Sequence, residues 1–131
     1  NEKIIELLEK VRGPFNVNTL SQNIGTLILK EEDFLKKSII HNDKWRKILP
    51  AEIKKIGLES YESFANFVLI RVNEKKYSKK KILSFLKKKR ILVRDLNNYG
   101  MKQFFRVSIG SARDLNKFLK ELRNSINKKN V

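Results

Sequence analysis

Along residues 2–11, EKIIELLEKV, apolar side chains recur at Ile4, Ile5, Leu7, Leu8 and Val11, which is one face of a helix. Gly13-Pro14 ends that helix. A second helix is expected from Thr19. The stretch TLSQ reads as a capping box with Thr19 as cap and Gln22 three residues on, and Leu20, Ile24, Leu27 and Ile28 make the apolar side. The acidic step KEEDF leads into a longer helix running to about residue 56. Phe34, Leu35, Ile39, Trp45, Ile48, Leu49, Ile53 and Ile56 keep helical spacing along it. Pro50 removes a backbone donor inside this pattern, so a kink or restart is expected there, and Gly57 is the expected stop.

Beyond Gly57 the period shortens. LESY (58–61) reads as a short strand and NFVLIRV (66–72) as a buried one. Ser78 caps a helix to about Lys88, with Ile82, Leu83, Phe85 and Leu86 inward. RILVRDL (90–96) is a further strand, NNYGMKQ a turn, and FFRVSI (104–109) the alternating strand that returns from it. Gly110 ends that strand. SARD is a second capping box, opening a last helix with Leu115, Phe118, Leu119, Leu122 and Ile126 inside, and NKKNV reads as a frayed tail. This order predicts an α+β two-layer sandwich: a small antiparallel-rich sheet of three to four strands covered by helices, preceded by a helical arm.

The length, 131 residues, suits one domain, and 40% hydrophobic residues allow a modest core. There is no run of about 20 apolar residues to span a membrane, and NEKIIELLEK lacks the cationic-then-apolar order of a signal peptide. With no cysteine, disulfides and thiolate metal sites are excluded, which fits a cytoplasmic protein. Charge changes the picture most: 30 Lys+Arg against 14 Asp+Glu, a net +16, makes nucleic acid the first partner class to weigh. A nucleic-acid face concentrates its cations on one surface among aromatic platforms. Here the lysines are spread over all the expected helices but the second, and the aromatic residues fall at inward positions. A basic nucleic-acid-binding module therefore stands as the alternative, not the leading reading.

No glycine-rich phosphate loop, HExxH, GxSxG or metal-ligand cluster is present. His41, the single histidine, sits in a polar helical stretch and reads as a surface or helix-lining residue; Tyr77 and Tyr99 read as interface or turn aromatics. Arg94 in ILVRDL and Arg106 in FFRVSIG differ from the other cations because they lie in strands. Twelve residues apart across a turn, they can reach one edge of the sheet. An arginine among apolar residues needs a partner. Spacing leaves two choices open: a structural ion pair with Asp95 or Asp114, or an anion site, since a guanidinium fork suits carboxylate and phosphate.

VRGPFNVNTLSQ (11–22), SFANFVLIRV (63–72) and ILVRDL followed by NYGMKQFFRVSIG and a last helix occur in that order. Together they resemble the C-terminal part of the histidinol-phosphate aminotransferase family, within the fold-type-I pyridoxal-phosphate aminotransferases. The resemblance covers nearly the whole chain. The family pattern has glycine before ILVR and T-x-E-E-N after the last strand, where this chain has KKKR and SARDLN.

The resemblance implies that residues 1–18 are the end of a large domain and the interdomain crossing segment, and that 19–131 are the small domain. It implies amino transfer between glutamate and imidazole-acetol phosphate in histidine biosynthesis, on pyridoxal 5'-phosphate, in a homodimer. By position, Arg106 matches the arginine that grips the substrate's anionic end and Arg94 a second one on the phosphate. Asn16 and Asn66 match structural loop asparagines. No lysine here has the serine- and glycine-rich setting of the family's Schiff-base lysine, so no catalytic, cofactor-binding or metal-binding residue is assigned, and the large cofactor domain is expected upstream. This chain alone, mixed with pyridoxal phosphate, is expected to show no stable absorbance band of lysine-bound cofactor; a band traceable to one lysine would refute that.

Overall fold

The computed structural model describes residues 1–13 and 15–127. Pro14, half of the expected Gly13-Pro14 stop, and positions 128–131 of the expected NKKNV tail lie outside the described residues. The chain divides into two units, Asn1–Lys37 and Ser38–Val131.

The first unit holds α1 (Glu2–Val11), α2 (Thr19–Ile28) and the start of α3 (Glu32–Lys55). Both early helices form where the apolar spacing placed them. The cap of α2 is Asn18, not Thr19: the Asn18 side chain accepts from Ser21 N–H at 2.9 Å. Asparagine is at least as good a cap as threonine. Gln22 reaches back to the Val17 carbonyl at 2.9 Å, so no capping box closes. Every described residue of this unit is exposed, including the whole apolar face Ile4, Ile5, Leu7, Leu8 and Val11.

In the second unit, α3 continues through Pro50 as one helix instead of restarting. Trp45, Leu49 and Ile53, on both sides of the proline, are buried in the core. That burial, worth about 1.5–3 kcal/mol per large side chain, offsets the bond Pro50 cannot make. The strands are β1 (Glu59–Ser60), β2 (Phe67–Arg71), β3 (Arg94–Asp95) and β4 (Phe104–Ser108), with α4 (Lys79–Lys88) between β2 and β3 and α5 (Ala112–Asn127) last. They form one antiparallel sheet in the order β1-β2-β4-β3. The segment 90–96 contributes only two ladder residues: Ile91 N–H turns back to the Leu86 carbonyl, and only Arg94 and Asp95 reach the ladder with β4.

Period two sorts the sheet into two faces. Val68, Ile70, Phe105 and Val107 are buried with Leu49, Ile53, Ile82, Leu86, Leu115, Phe118, Leu119 and Leu122 from α3, α4 and α5. The opposite face carries Phe67, Leu69, Arg71, Phe104 and Arg106, all half-buried, and the exposed Ser108. The helices thus cover one face, as the α+β pattern predicts. The aromatics are less uniformly inward than their spacing implies: Phe15, Phe34, Phe64 and Tyr99 are exposed, while Trp45, Phe105 and Phe118 are buried.

Two helices end alike. After α3, Gly57 is left-handed (φ +90°), with Leu58 N–H on the Ile53 carbonyl and Gly57 N–H on the Lys54 carbonyl. After α4, Arg90 takes that place at φ +57°, with Ile91 N–H on Leu86 and Arg90 N–H on Lys87. Glycine adopts this conformation freely, whereas an L side chain meets its own carbonyl there. Arg90→Gly is therefore expected to stabilise the fold by about 0.5–1 kcal/mol in urea denaturation. Gly57→Ala, whose Cβ would lie 3.2 Å from the Tyr77 hydroxyl, is expected to destabilise it. A neutral or destabilising Arg90→Gly would show that the backbone there carries no strain.

Candidate anion-binding site

The open face gathers three arginines, and the ladder decides how they differ. Arg71 on β2 lies opposite Glu59 on β1; its Nη1 donates to Glu59 at 3.0 Å and its Nε to Gln103 at 3.1 Å. It is spent on a structural contact. Arg94 and Arg106 are direct cross-strand partners in the β3–β4 ladder, so both emerge on the same face. Like charges placed opposite each other cost free energy, and neither arginine has a carboxylate within ion-pair distance among the described residues.

The two acids that spacing offered as partners are engaged elsewhere. Asp95 is the chain neighbour of Arg94, but alternation turns it to the other face beside Phe105. There Lys79, the first residue of α4 and the one buried charged residue among those described, donates to Asp95 at 2.7 Å and to the Asn97 side chain at 2.7 Å. Asp114 closes the capping box of α5: it accepts from the Ser111 hydroxyl at 2.7 Å, and its N–H donates to the Ser111 oxygen at 3.2 Å. The structural ion pair considered for Arg94 and Arg106 is therefore absent in this fold.

What holds the two guanidinium groups is aromatic. Arg106 lies over the Phe67 ring at 4.6 Å, and its Nε is buried with no hydrogen-bond partner. Arg94 lies over the Tyr99 ring at 5.9 Å and donates to the Tyr99 hydroxyl at 3.4 Å. Stacking fixes each plane while leaving donor N–H groups for a ligand. A groove of about 160 Å³ opens at this edge, bordered by Leu92, Arg94, Arg106, Ser108, Gly110 and Asp114 among others. Chemically, two guanidinium groups without counter-ions at a groove have the donor geometry that suits a carboxylate or a phosphate.

The other singled-out residues lie away from this pair. Asn66 carries the loop before β2 through its backbone carbonyl, which accepts from Ile109 N–H at 2.8 Å; its side-chain amide makes no hydrogen bond among the described residues, and neither does that of Asn16 in the first unit. His41 Nε2 donates to the Gly110 carbonyl at 2.8 Å, tying α3 to the end of β4, a helix-lining role. Spacing singled out neither Lys79 nor the Asn42 and Arg46 contacts to the 63–65 loop, because one lysine in KKK looks like any other.

Residues 1–122 match the family model for aminotransferase class I and II. The chain belongs to that family. Among curated relatives, it is 42% identical over 112 residues to histidinol-phosphate aminotransferase of Clostridium novyi, covering 85% of this chain and 30% of the relative. It is 36% identical over 112 residues to the enzyme of that name from Maricaulis maris, covering 85% of this chain and 31% of that one. The crystal structure of histidinol-phosphate aminotransferase from Clostridium acetobutylicum superposes with a TM-score of 0.76 at 27% identity, over 98% of this chain and 39% of that chain. The chain thus spans somewhat under a third of the curated relatives it matches. These aminotransferase matches lend the nucleic-acid alternative no support. Among the described residues, no helix is long and apolar enough to cross a membrane.

The Lys79–Asp95 contact generates a pH dependence. The hydrogen bond from Lys79, aided by the Asn97 N–H, holds the Asp95 carboxyl below the usual carboxylate range. A lowered folded pKa stabilises the fold above the unfolded value, near 4, and that contribution is lost as pH falls through the folded value. Lys79→Met is expected to cost about 2 kcal/mol at neutral pH, less than for a fully buried pair because Asp95 is part-exposed, and to flatten the acid-side loss of stability. Urea midpoints from pH 7 to 2.5 that keep the same pH dependence in the variant would refute this.

Proposed function

We propose that this chain is the substrate-gripping small domain of a pyridoxal-phosphate aminotransferase of the histidinol-phosphate branch, with residues 1–18 as the crossing segment and 19–131 as the domain proper. The single observation that carries the reading is the in-register pair Arg94–Arg106, aimed from one sheet face and left without a carboxylate. In the reaction, which exchanges an amino group between glutamate and imidazole-acetol phosphate, each substrate brings an anionic end. Arg106, stacked on Phe67, grips it; Arg94 joins when that end is a phosphate.

When bound in the complete enzyme, pyridoxal phosphate supplies the electron sink for amino transfer. The residues of this segment do not fit it. The buried lysine, Lys79, has its side-chain nitrogen engaged by Asp95 and Asn97 at 2.7 Å each, so it is not free to meet an aldehyde. The cofactor and its lysine belong to a large domain, for which the roughly threefold greater length of the relatives leaves room. The exposed apolar faces of α1 and α2 fit a role as contacts for that domain or for the second subunit of a homodimer. A chain free of cysteine suits a cytoplasmic setting.

In a full-length enzyme carrying this domain, Arg106→Ala is expected to lower kcat/KM for histidinol phosphate roughly 100-fold, mostly through KM, with the cofactor's absorbance unchanged. Unchanged kinetics would remove Arg106 from substrate binding.

A further inference from the structure

We propose that Tyr99 is a third arm of the anion site, donating its phenolic hydrogen to an oxygen of a phosphate group held by Arg94 and Arg106, and so favouring phosphate over carboxylate. This rests on the two-arginine reading above and adds a residue whose sequence setting is that of a turn aromatic.

Tyr99 ends the short 3-10 turn Asn97–Tyr99 that follows β3 directly. That turn is held from both sides. Asp95, gripped by Lys79, accepts from the Asn97 backbone at 3.2 Å and from its side chain at 3.1 Å. Gly100, at φ +73°, closes the turn with its N–H on the Asn97 carbonyl at 3.0 Å. Tyr99 nevertheless keeps 64% of its surface exposed, so core packing does not account for its place.

Its contacts are with the site. Arg94 donates to the Tyr99 oxygen at 3.4 Å and lies 5.9 Å from the ring centre. A guanidinium only donates, so the hydroxyl is the acceptor in that contact and its own proton is left for another group. Among the described residues, no acceptor takes it. The charged groups facing the hydroxyl are Arg94 on β3 and Arg106 on β4. The hydrogen bond from Arg94, then its charge, and further the charge of Arg106, hold the Tyr99 hydroxyl below the ordinary tyrosine value. Such a hydroxyl is a stronger donor than a free phenol.

Stoichiometry supplies the selectivity. A carboxylate has two oxygens, and two guanidinium forks satisfy them. A phosphate ester has three terminal oxygens set tetrahedrally, so it presents an acceptor out of a fork's plane that a third donor can take and a planar carboxylate lacks. Tyr99 stands beside Arg94, the arginine proposed to join for the phosphate.

The test is an NMR titration of this chain from pH 8 upward with inorganic phosphate and with acetate, reading the amide and arginine Nε–H signals of Arg94 and Arg106. Tyr99→Phe keeps the ring over Arg94 and loses only the hydroxyl. It is expected to weaken phosphate binding roughly tenfold and acetate binding less than twofold, with the amide spectrum otherwise preserved. Phosphate binding by the unsubstituted chain should also fall as pH rises through the Tyr99 titration, since a phenolate cannot donate, and that fall should be absent in Tyr99→Phe. Equal phosphate affinity and an identical pH profile in the two proteins, with Arg94 and Arg106 still responding, would overturn the Tyr99 role and leave the two-arginine reading intact. Equal weakening for both anions would overturn the selectivity. Failure of phosphate to move Arg94 and Arg106 in the unsubstituted chain would overturn both readings.

Discussion

The register of β4 between β2 and β3 governs this molecule. It sets Val107 against Val68 and Phe105 against Ile70, with Val68, Ile70 and Phe105 wholly buried under the helices. A slip of one residue would turn Phe105 to the open face and drive Arg106 into the core. Each buried side chain contributes about 1.5–3 kcal/mol to the correct register. The like-charge pair Arg94–Arg106 opposes it by at most about 1 kcal/mol. The core therefore wins with a wide margin, and the placement of two unneutralised arginines on one face is a by-product of how the core packs. Binding an anion there would relieve a repulsion the fold already carries.

Alternation also explains why the site stays positive in spite of nearby acids. Arg94 and Asp95 are adjacent in sequence and opposite in charge, yet period two sends them to opposite faces. Asp95 is drawn to the helix side by Lys79, a lysine whose ammonium could not remain buried without such a partner. On the open face Glu59 is taken by Arg71, and at the groove Asp114 is taken by its own helix cap. Each acid within reach is thus fixed by a contact that the fold itself needs. The residual charge at Arg94 and Arg106 follows from where the acids are held, not from an excess of cations in the region.

How much of this was legible in the sequence depends on the range of the interaction. Helical faces of α3, α4 and α5, the strands β2 and β4, the stop at Gly57 and the caps at Ser78 and Ser111 are local, and their patterns sufficed. The proximity of Arg94 and Arg106 was legible from their spacing across a turn; that they are a direct cross-strand pair was not, because register is set by the whole ladder. Local pattern does not separate Asn18 from Thr19 as the cap of α2, because two residue types of similar capping strength stand side by side. Pro50 inside α3 was read by its local cost, whereas burial on both sides decides its fate. Lys79 was invisible, since only the ends of β3 and α4 brought together distinguish it from Lys80 and Lys81. Tyr99 was likewise legible as a turn residue but not as a neighbour of Arg94.

The same limit of local reading appears in the contrast between helices. α1 and α5 carry equally regular apolar stripes. In α5 the stripe Leu115, Phe118, Leu119 and Leu122 is buried, whereas in α1 every apolar residue is exposed. A ten-residue helix has little stability of its own in water, so α1 depends on whatever its stripe packs against. Amphipathicity states that a face will be buried; it does not state by what. For α5 the answer is the sheet that carries Arg106. For α1 and α2 no surface among the described residues buries their stripes. A stripe this regular is built to be covered, so the fold and the paired arginines of residues 38–127 are one part of the structural problem this sequence encodes, and the faces of α1 and α2 are the other.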